Sequence, residues 1–311
     1  MVATSMISPL YAADHLDPAK LHFVDIDGVR TRYYEDGTGS PLVLFPGGQI
    51  GSLYTVDSYS LNLDALAKYF RVIAVDKLGQ GGTAGPVSDD DYTWGATVQH
   101  ARRFIETLGL RGAHLAGHSR GGMLISSLAY ALAPGTVQSL IIIDSGTLAP
   151  ADPTTASGAF YANLPHYEEP EREVRAEPLA QAFKPQQVTS DFMDRMLAHA
   201  TSAEFARVTA KMATGGTERF LASLDQAHDA LLARIAAEGL PVPVLMLWDY
   251  NDQSAPVRWA PPLLDVIAPK TSWTELHIFN EGGHYTFREN PEQFNRVVAG
   301  FCQHVDTVTS A

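Results

Sequence analysis

The stretch "LAGHSRGG", residues 115–122, ends an apolar run with Ser119 placed between Gly117 and Gly121, in the pattern Gly-x-Ser-x-Gly. A chain of about 300 residues meets this pattern by chance about one time in ten, so the flanking sequence decides its meaning. "AHLAGH" predicts a strand before the serine, and "RGGMLISSLAYALA" predicts a helix after it. A sharp strand-to-helix turn exposes a serine at the helix N-terminus. Ser119 is therefore the candidate nucleophile.

The rest of the chain alternates between short apolar runs and segments of helical period. The first two strands flank Gly28 as an antiparallel pair, and the continuous Val/Ile/Leu runs that follow indicate a parallel sheet covered on both faces. The predicted fold class is α/β, with a mostly parallel eight-stranded sheet flanked by helices. The predicted strands are "LHFVDID" (21–27), "VRTRYYED" (29–36), "PLVLFPG" (41–47), "RVIAVD" (71–76), "AHLAGH" (113–118), "SLIIID" (139–144), "PVLMLW" (243–248) and "WTELHIF" (273–279), and the predicted helices are 58–69, 95–108, 120–133 and 290–304.

The alternation is interrupted once, over residues 146–240. This segment has helical periodicity, as in "FLASLDQAHDALLARIAAEG", and it offers no convincing strand. A structureless loop of this length is improbable in a compact domain, so we expect an inserted helical cap at the carboxyl ends of the strands, where α/β sheets bind ligands. A helical insertion used for dimerisation is the alternative. The predicted division is an N-terminal arm (1–20), a core (21–145 and 241–311) and the cap.

A serine hydroxyl needs a base, normally a histidine held by a carboxylate. His284 is the candidate base, because it lies in the Gly-rich loop "NEGGHY" after the last predicted strand. "DYNDQSAP" follows the strand before it, and its Asp252 is the favoured acid because it lies farther past the strand end than Asp249. Asp144, at the end of "LIIID", is the second position from which a carboxylate could reach the histidine.

The stabilisation of a developing oxyanion calls for two backbone N–H groups. Arg120, which follows the nucleophile, supplies one, and the glycine loop "PGGQIGS" supplies the other, from Gly48 in preference to Gln49. No Lys-Ser/Thr pair follows this loop, which argues against a P-loop. "GQGGTA" fits a dinucleotide motif, but a proline and "SDDD" follow where a helix should begin. We expect no cofactor and no metal.

Composition limits the partners. The 35 acidic residues against 22 Lys and Arg give a formal charge of −13, which disfavours binding to nucleic acid or to an anionic membrane surface. The single cysteine, Cys302, cannot form an internal disulfide. The N-terminus has no basic region of a signal peptide, and no apolar run reaches membrane-spanning length. We expect a cytoplasmic protein, which could be a homo-oligomer, acting on a small molecule and water.

Several segments together resemble the sequential signatures of the α/β-hydrolase superfamily: "FPGG", "VDKLGQGGT", "GHSRGG", "LMLWDYNDQSAP" and "NEGGHYTFRENPEQFNRVV". The resemblance covers nearly the whole chain outside the cap. It is greatest to the branch that holds meta-cleavage-product hydrolases, which split carbon–carbon bonds in ring-opened aromatics, and monoalkyl phthalate ester hydrolases. It implies the roles of nucleophile for Ser119, acid for Asp252, base for His284 and oxyanion donors for Gly48 and Arg120.

Two departures from the branch bear on the substrate. Its carbon–carbon hydrolases usually carry an Asn before the serine and a Trp after the histidine, where this chain has His118 and Tyr285. The sequence therefore favours a carboxylic ester hydrolase, a serine esterase acting on a small aromatic or acid-bearing monoester such as a monoalkyl phthalate. Carbon–carbon cleavage of a 2-hydroxy-6-oxo-dienoate and a non-catalytic ligand sensor are the alternatives. The predicted cap offers cations for an anionic substrate at Arg172, Arg175, Lys184 and Arg195.

Overall fold

A single eight-stranded sheet forms the centre of the molecule. The computed structural model describes residues 14–150 and 153–309, and for residues 153–157 it describes the backbone. The strand order is β1-β2-β4-β3-β5-β6-β7-β8. β2 pairs antiparallel with β1 and with β4, and all the other pairs are parallel. This confirms the predicted fold class, and the strands are β1 (Leu21–Ile26), β2 (Val29–Asp36), β3 (Pro41–Phe45), β4 (Arg71–Val75), β5 (Ala113–His118), β6 (Val137–Ile143), β7 (Val244–Asp249) and β8 (Thr274–Phe279).

The burial of the strands explains why their apolar runs are continuous. Every residue of β5 and β7 is buried, whereas the edge strands β1 and β8 each bury one residue. Successive side chains of a central strand enter opposite layers of the core. Ile142 packs in one apolar cluster and Ile141 in the other, on the two faces of the sheet.

Helices cover both faces of the sheet. The predicted helices at 95–108, 120–133 and 290–304 are present as α2, α3 and α11. The prediction at 58–69 is wrong, because residues 54–63 are all buried and have no solvent face; they form a 3-10 turn (Val56–Tyr59) that leads into the single turn of α1. α9 was not predicted. The helices are α1 (Leu63–Leu66), α2 (Trp94–Thr107), α3 (Arg120–Ala131), α4 (Pro153–Ala162), α5 (Pro170–Gln181), α6 (Ser190–Ala200), α7 (Ala203–Lys211), α8 (Thr217–Glu238), α9 (Ala260–Ile267), α10 (Thr286–Glu289) and α11 (Pro291–Thr309).

The segment between β6 and β7 carries α4 to α8, and its described residues form no strand. Side-chain caps begin two of these helices: Thr189 accepts a hydrogen bond from Phe192 N, and Ser202 accepts one from Phe205 N. Gly239 ends α8 with φ of 74°. Within residues 14–150 and 153–309, no helix combines the length and the apolar character needed to cross a bilayer.

The predicted N-terminal arm, 1–20, lies mostly outside the described residues, which begin at position 14. Asp14 is buried, and its carboxylate binds Arg288 of α10 and Arg195 of α6. Ser60 also donates a hydrogen bond to this carboxylate, at 2.5 Å. One residue of the arm thus joins α6 to the sheet-bearing part of the chain.

Candidate active site

Ser119 lies in a strained turn between β5 and α3. Its φ of 53° and ψ of −121° are unusual for a residue with a side chain, and such backbone conformations cost about 1–3 kcal/mol. The turn needs close backbone contacts. A methyl group on Gly117 would lie 2.1 Å from Gly121 O, and one on Gly121 would lie 2.7 Å from Phe45 O. The glycines of the motif are therefore required by the shape of the turn, as the sequence indicated.

His284 and Asp252 meet at the same edge of the sheet, in the loops after β8 and β7. His284 Nδ1 lies 2.6 Å from Asp252 Oδ2, and both side chains are buried. Asp252 Oδ1 accepts hydrogen bonds from Ser254 N and Ala255 N at 2.8 Å each, and from Ser254 Oγ at 3.0 Å. These donors fix the carboxylate, so its second oxygen faces the imidazole.

One nitrogen of the His284 imidazole remains free to accept a proton. His284 Nε2 is buried and has no hydrogen-bond partner among the described residues. Ser119 and His284 line the same cavity without a hydrogen bond between their side chains. Such contacts are commonly longer in the absence of a substrate than during the reaction. The arrangement is one in which a serine can pass its proton to a histidine whose other nitrogen is held by a carboxylate.

The two other candidate acids lie behind this pair and do not contact His284. Asp249 N donates a hydrogen bond to Asp144 Oδ1 at 2.8 Å. Burial raises the pKa of Asp144 well above its usual value, and repulsion from Asp249 and Asp252 raises it further. Burial likewise raises the pKa of Asp249. The structure thus brings Asp252, and neither Asp144 nor Asp249, against the histidine.

The glycine loop after β3 packs against the turn. A methyl group on Gly47 would lie 3.0 Å from Ser119 Cβ. Gly47 O accepts a hydrogen bond from Gln80 Nε2 at 3.0 Å, and Gly48 O accepts one from Lys77 Nζ at 2.8 Å. Because the C=O and N–H of a trans peptide point in opposite directions, the Gly48 N–H is directed away from Gln80.

The backbone N–H groups of Gly48 and Arg120, the two predicted oxyanion donors, have no acceptor within the described part of the chain. The same holds for Gln49, the alternative donor. Arg120 is the first residue of α3, so its N–H is one of the groups that a helix leaves unpaired at its N-terminus. The positive end of the helix dipole adds to the attraction for an anion at this point.

A cavity of about 240 Å³ opens onto these groups. Its walls come from the sheet edge and from the helical segment between β6 and β7, and it is lined by Ser119, Arg120, Gly146, Thr147, Gly158, Tyr161, Leu221, Leu224, Asp225, Ser254, Ala255 and His284. Tyr161, near the end of α4, contributes an aromatic ring to these walls. Apolar side chains with a few polar groups are typical of a small-molecule site.

Polar residues of α5 cover His284. The backbone N–H of His284 donates to Gln181 O at 3.0 Å. Tyr54 Oη lies 2.8 Å from Glu177 Oε1 and 2.7 Å from Gln181 Oε1, and Gln181 Nε2 donates to Tyr161 Oη at 3.1 Å. Burial raises the pKa of Glu177. α5 is therefore joined directly to the residues around His284.

His118, which directly precedes Ser119, is fully buried. Its Nε2 lies 2.7 Å from His284 O, and the two rings are 4.4 Å apart. Burial lowers the pKa of His118 well below its usual value, and the neighbouring His284 lowers it further. A neutral His118 donates its Nε2–H to this carbonyl and holds the backbone of His284.

Comparison with known proteins agrees with this geometry. The sequence profile of the Alpha/beta hydrolase family matches residues 42–297. The chain is 30% identical over 285 residues to a 2-hydroxymuconate semialdehyde hydrolase of Pseudomonas sp. (strain CF600), covering 90% of this chain and 92% of that protein. The chain belongs to the alpha/beta hydrolase family. This confirms the family that the sequence motifs indicated.

Two further comparisons describe the branch of this hydrolase. It is 27% identical over 301 residues to the 2-hydroxy-6-oxo-6-(2'-aminophenyl)hexa-2,4-dienoic acid hydrolase of Metapseudomonas resinovorans, covering 93% of each chain. The meta-cleavage product hydrolase of Pseudomonas fluorescens IP01 has the same fold, with a TM-score of 0.74 at 24% identity over 91% of this chain and 97% of that one. The resemblance to meta-cleavage-product hydrolases therefore extends over the whole hydrolase.

The predicted preference for a carboxylic ester is wrong on these comparisons. The similar proteins are named as hydrolases of ring-opened dienoic compounds, which was the alternative. The prediction relied on His118 and Tyr285 at positions where this branch usually carries Asn and Trp. Both residues pack around His284: His118 Nε2 lies 2.7 Å from His284 O, and the Tyr285 ring lies 6.2 Å from the imidazole.

Sequence reasoning missed some residues of the site and misplaced others. No hydrophobic periodicity or sequence motif links Tyr54 with Glu177 and Gln181. These side chains meet only because of the way α5 packs. The side chain of Arg120 lines the cavity, and its position next to Ser119 was the signal that could have revealed it. The cations expected from the cap, Arg172, Arg175, Lys184 and Arg195, do not line the cavity.

Proposed function

We propose that this hydrolase cleaves a carbon–carbon bond in a ring-opened aromatic product of the 2-hydroxy-6-oxo-dienoate class. The observation that carries the proposal is the similarity, over about nine-tenths of the chain, to proteins named as hydrolases of such compounds. The site supports it with a serine in a strained turn and a buried His–Asp pair at the wall of a cavity. A small, mostly apolar cavity suits an unsaturated acid with a hydrocarbon substituent.

In this proposal the segment 146–240 is a cap, and the residues 21–145 and 241–311 form the core. The core provides Ser119 and His284, and the segment provides Tyr161, Leu221 and Leu224 to the same cavity. A substrate bound between them would be shielded from bulk water. This shielding strengthens the electrostatic interactions in the site.

The contacts support a catalytic role for each of the following residues. Asp252 holds the tautomer of His284 that leaves Nε2 free to accept a proton. Nε2 takes the proton of Ser119 Oγ as the oxygen attacks the ketone carbonyl of the substrate. The N–H groups of Gly48 and Arg120 then stabilise the negative charge on that carbonyl oxygen.

Cleavage of the carbon–carbon bond needs a departing carbon that can accept the electron pair. In the 2-oxo tautomer of the substrate, this pair is delocalised through the unsaturated chain onto the 2-oxo oxygen. The proton that His284 took from Ser119 passes to that oxygen, which gives a 2-hydroxydienoate and returns His284 to its neutral form, while the acyl group stays on Ser119. Water, deprotonated by His284, then releases the acyl group as a carboxylic acid, and His284 returns the proton to Ser119 Oγ. The overall reaction consumes one water for each bond that is cleaved.

The test compares a 2-hydroxy-6-oxo-6-phenyl-dienoate with short p-nitrophenyl esters and a monoalkyl phthalate, measured side by side. We expect the highest kcat/KM for the dienoate, with benzoate and the hydroxydienoate formed in equal amounts. In H₂¹⁸O, benzoate should gain one labelled oxygen. Ser119→Ala should abolish turnover, and a fluorophosphonate should label Ser119 of the active protein. No cleavage of the dienoate, or faster turnover of every ester, contradicts the proposal; binding without turnover would favour a ligand sensor.

A further inference from the structure

The guanidinium of Arg120 is a cation without a counter-ion at the wall of the cavity. Its Nε is buried and makes no hydrogen bond, and no carboxylate lies within ion-pair distance in the part of the chain that the structure describes. The buried arginines are paired, Arg32 with Asp57 and Asp76 and Arg288 with Asp14, and the partly buried Arg195 binds Asp14 and Asp57. Arg120 thus differs from them in having no protein carboxylate.

An unpaired guanidinium in a half-buried position is costly, because it has lost part of its water without gaining an anion. A ligand carboxylate offsets that cost, since its two oxygens match the planar donors of the side chain. The cavity that Arg120 lines is also the one that contains Ser119 and His284. A carboxylate bound there belongs to the molecule that reacts.

From this arrangement we infer that the side chain of Arg120 binds the carboxylate of the substrate and selects for acids. The inference rests on the proposed function, because the dienoate has a carboxylate at one end and the attacked ketone at its sixth carbon. Arg120 then has two separate functions. Its backbone N–H faces the reacting carbonyl, and its side chain holds the far end of the chain.

Two carboxyl groups near Arg120 do not occupy the position proposed for the substrate carboxylate. Glu177 lies within electrostatic range of Arg120, which lowers the pKa that burial raises, but its carboxylate accepts a hydrogen bond from Tyr54 Oη. Asp225 lines the cavity but is exposed to solvent, which screens its charge. Neither forms an ion pair with Arg120 within the described residues.

Of the four cations that the sequence suggested for this purpose, three contact other groups and the fourth, Arg175, does not line the cavity. Arg195 binds Asp14, and Lys184 donates a hydrogen bond to Asn290. Arg172 is exposed and lies over the ring of Tyr167. Arg120 is therefore the cation that the cavity offers, as far as its described lining shows.

The first experiment compares Arg120→Met, Arg120→Lys and the control Arg172→Met, which removes an exposed arginine outside the cavity. Each is assayed with the phenyl-substituted dienoate and with its primary carboxamide, which lacks the charge. Charge-assisted hydrogen bonds to a carboxylate correspond to about tenfold to a hundredfold in kcat/KM. Arg120→Met should lose this factor on the acid and less than about threefold on the carboxamide. Arg120→Lys should recover part of it, and Arg172→Met should match the wild type.

The second experiment does not depend on turnover, so it separates a failure of this inference from a failure of the proposed function. Calorimetry measures the affinity of the wild type and of Arg120→Met for 2,4-hexadienoate and for its amide. We expect the acid to bind at least tenfold more weakly to Arg120→Met, with the amide unchanged. Equal losses on acid and amide in both experiments, an unchanged affinity for the acid, or no binding of the acid to the wild type would overturn the inference.

Discussion

Replacement of Asp252 by Asn tests the arrangement of the site most directly. The side chain is buried, and its Oδ1 accepts hydrogen bonds from Ser254 N, Ser254 Oγ and Ala255 N. In the variant, these three donors keep the amide oxygen at the Oδ1 position. The NH₂ group then faces His284 Nδ1, where the carboxylate oxygen lies 2.6 Å away in the wild type.

This orientation determines the size of the effect. An amide NH₂ donates to Nδ1, so the proton of the neutral imidazole moves to Nε2, and that nitrogen can no longer accept the proton of Ser119. The same change in the serine protease triad lowers kcat about 10⁴-fold, which corresponds to about 5 kcal/mol of transition-state stabilisation. We expect a loss of this order, with little change in the free energy of unfolding, since the two side chains have the same shape.

The assay is the rate at which a fluorophosphonate labels Ser119, followed by mass spectrometry, because it does not depend on the choice of substrate. Asp249→Asn and Asp144→Asn are the matched controls. Burial raises the pKa of both carboxyls, and neither contacts His284, so we expect losses below tenfold. A labelling rate of Asp252→Asn within tenfold of the wild type, or a larger loss in Asp144→Asn, would refute the assignment of the acid.

Two further predictions concern residues that support the site. His118→Asn removes the hydrogen bond to His284 O, and we expect kcat/KM to fall about tenfold or less. Because the pKa of His118 is held well below its usual value, the acid limb of the pH profile should not move, and a shifted limb would contradict the neutral state of this ring. Asp14→Asn tests the link to α6. Burial raises the pKa of Asp14, but Arg288 and the other donors lower it to about 2. The contribution to stability is therefore present above about pH 4 and is lost as the pH falls towards 2. In urea unfolding, we expect Asp14→Asn to lower the free energy of unfolding by about 2 kcal/mol at pH 7 and by less at pH 3. Equal losses at the two pH values would contradict the lowered pKa of Asp14.

The fold could be predicted from the sequence because its central strands are buried on both faces. Such strands consist of continuous apolar runs, as in "LIII" of β6, and their alternation with helices specifies a parallel sheet. The same rule placed Ser119, His284 and Asp252 together, since each follows a strand whose carboxyl end lies at one edge. The prediction of a helix at 58–69 was wrong. The first residues of this range, 58–63, are all buried, so helical spacing carried no information about a solvent face there.

The walls of the site could not be predicted in this way. Tyr161 and Leu224 reach the cavity through the packing of α4 and α8, and no periodicity in the sequence states where those helices lie relative to Ser119. The substrate class was misjudged for a related reason. The residue before the nucleophile was treated as a selector of the reaction, whereas the structure shows that its imidazole holds the backbone of His284.

Arg120 shows which part of substrate recognition a sequence can reveal. Its place in the fold is determined by the turn at Ser119, so its backbone N–H was predictable as soon as the motif was found. Its side chain begins at the same position, and no carboxylate among the described residues forms an ion pair with it. The turn at Ser119, and not the helical segment, therefore sets where this cation begins. In a hydrolase built this way, the core would specify the acid end and the reacting carbonyl, and the helices would specify the substituent.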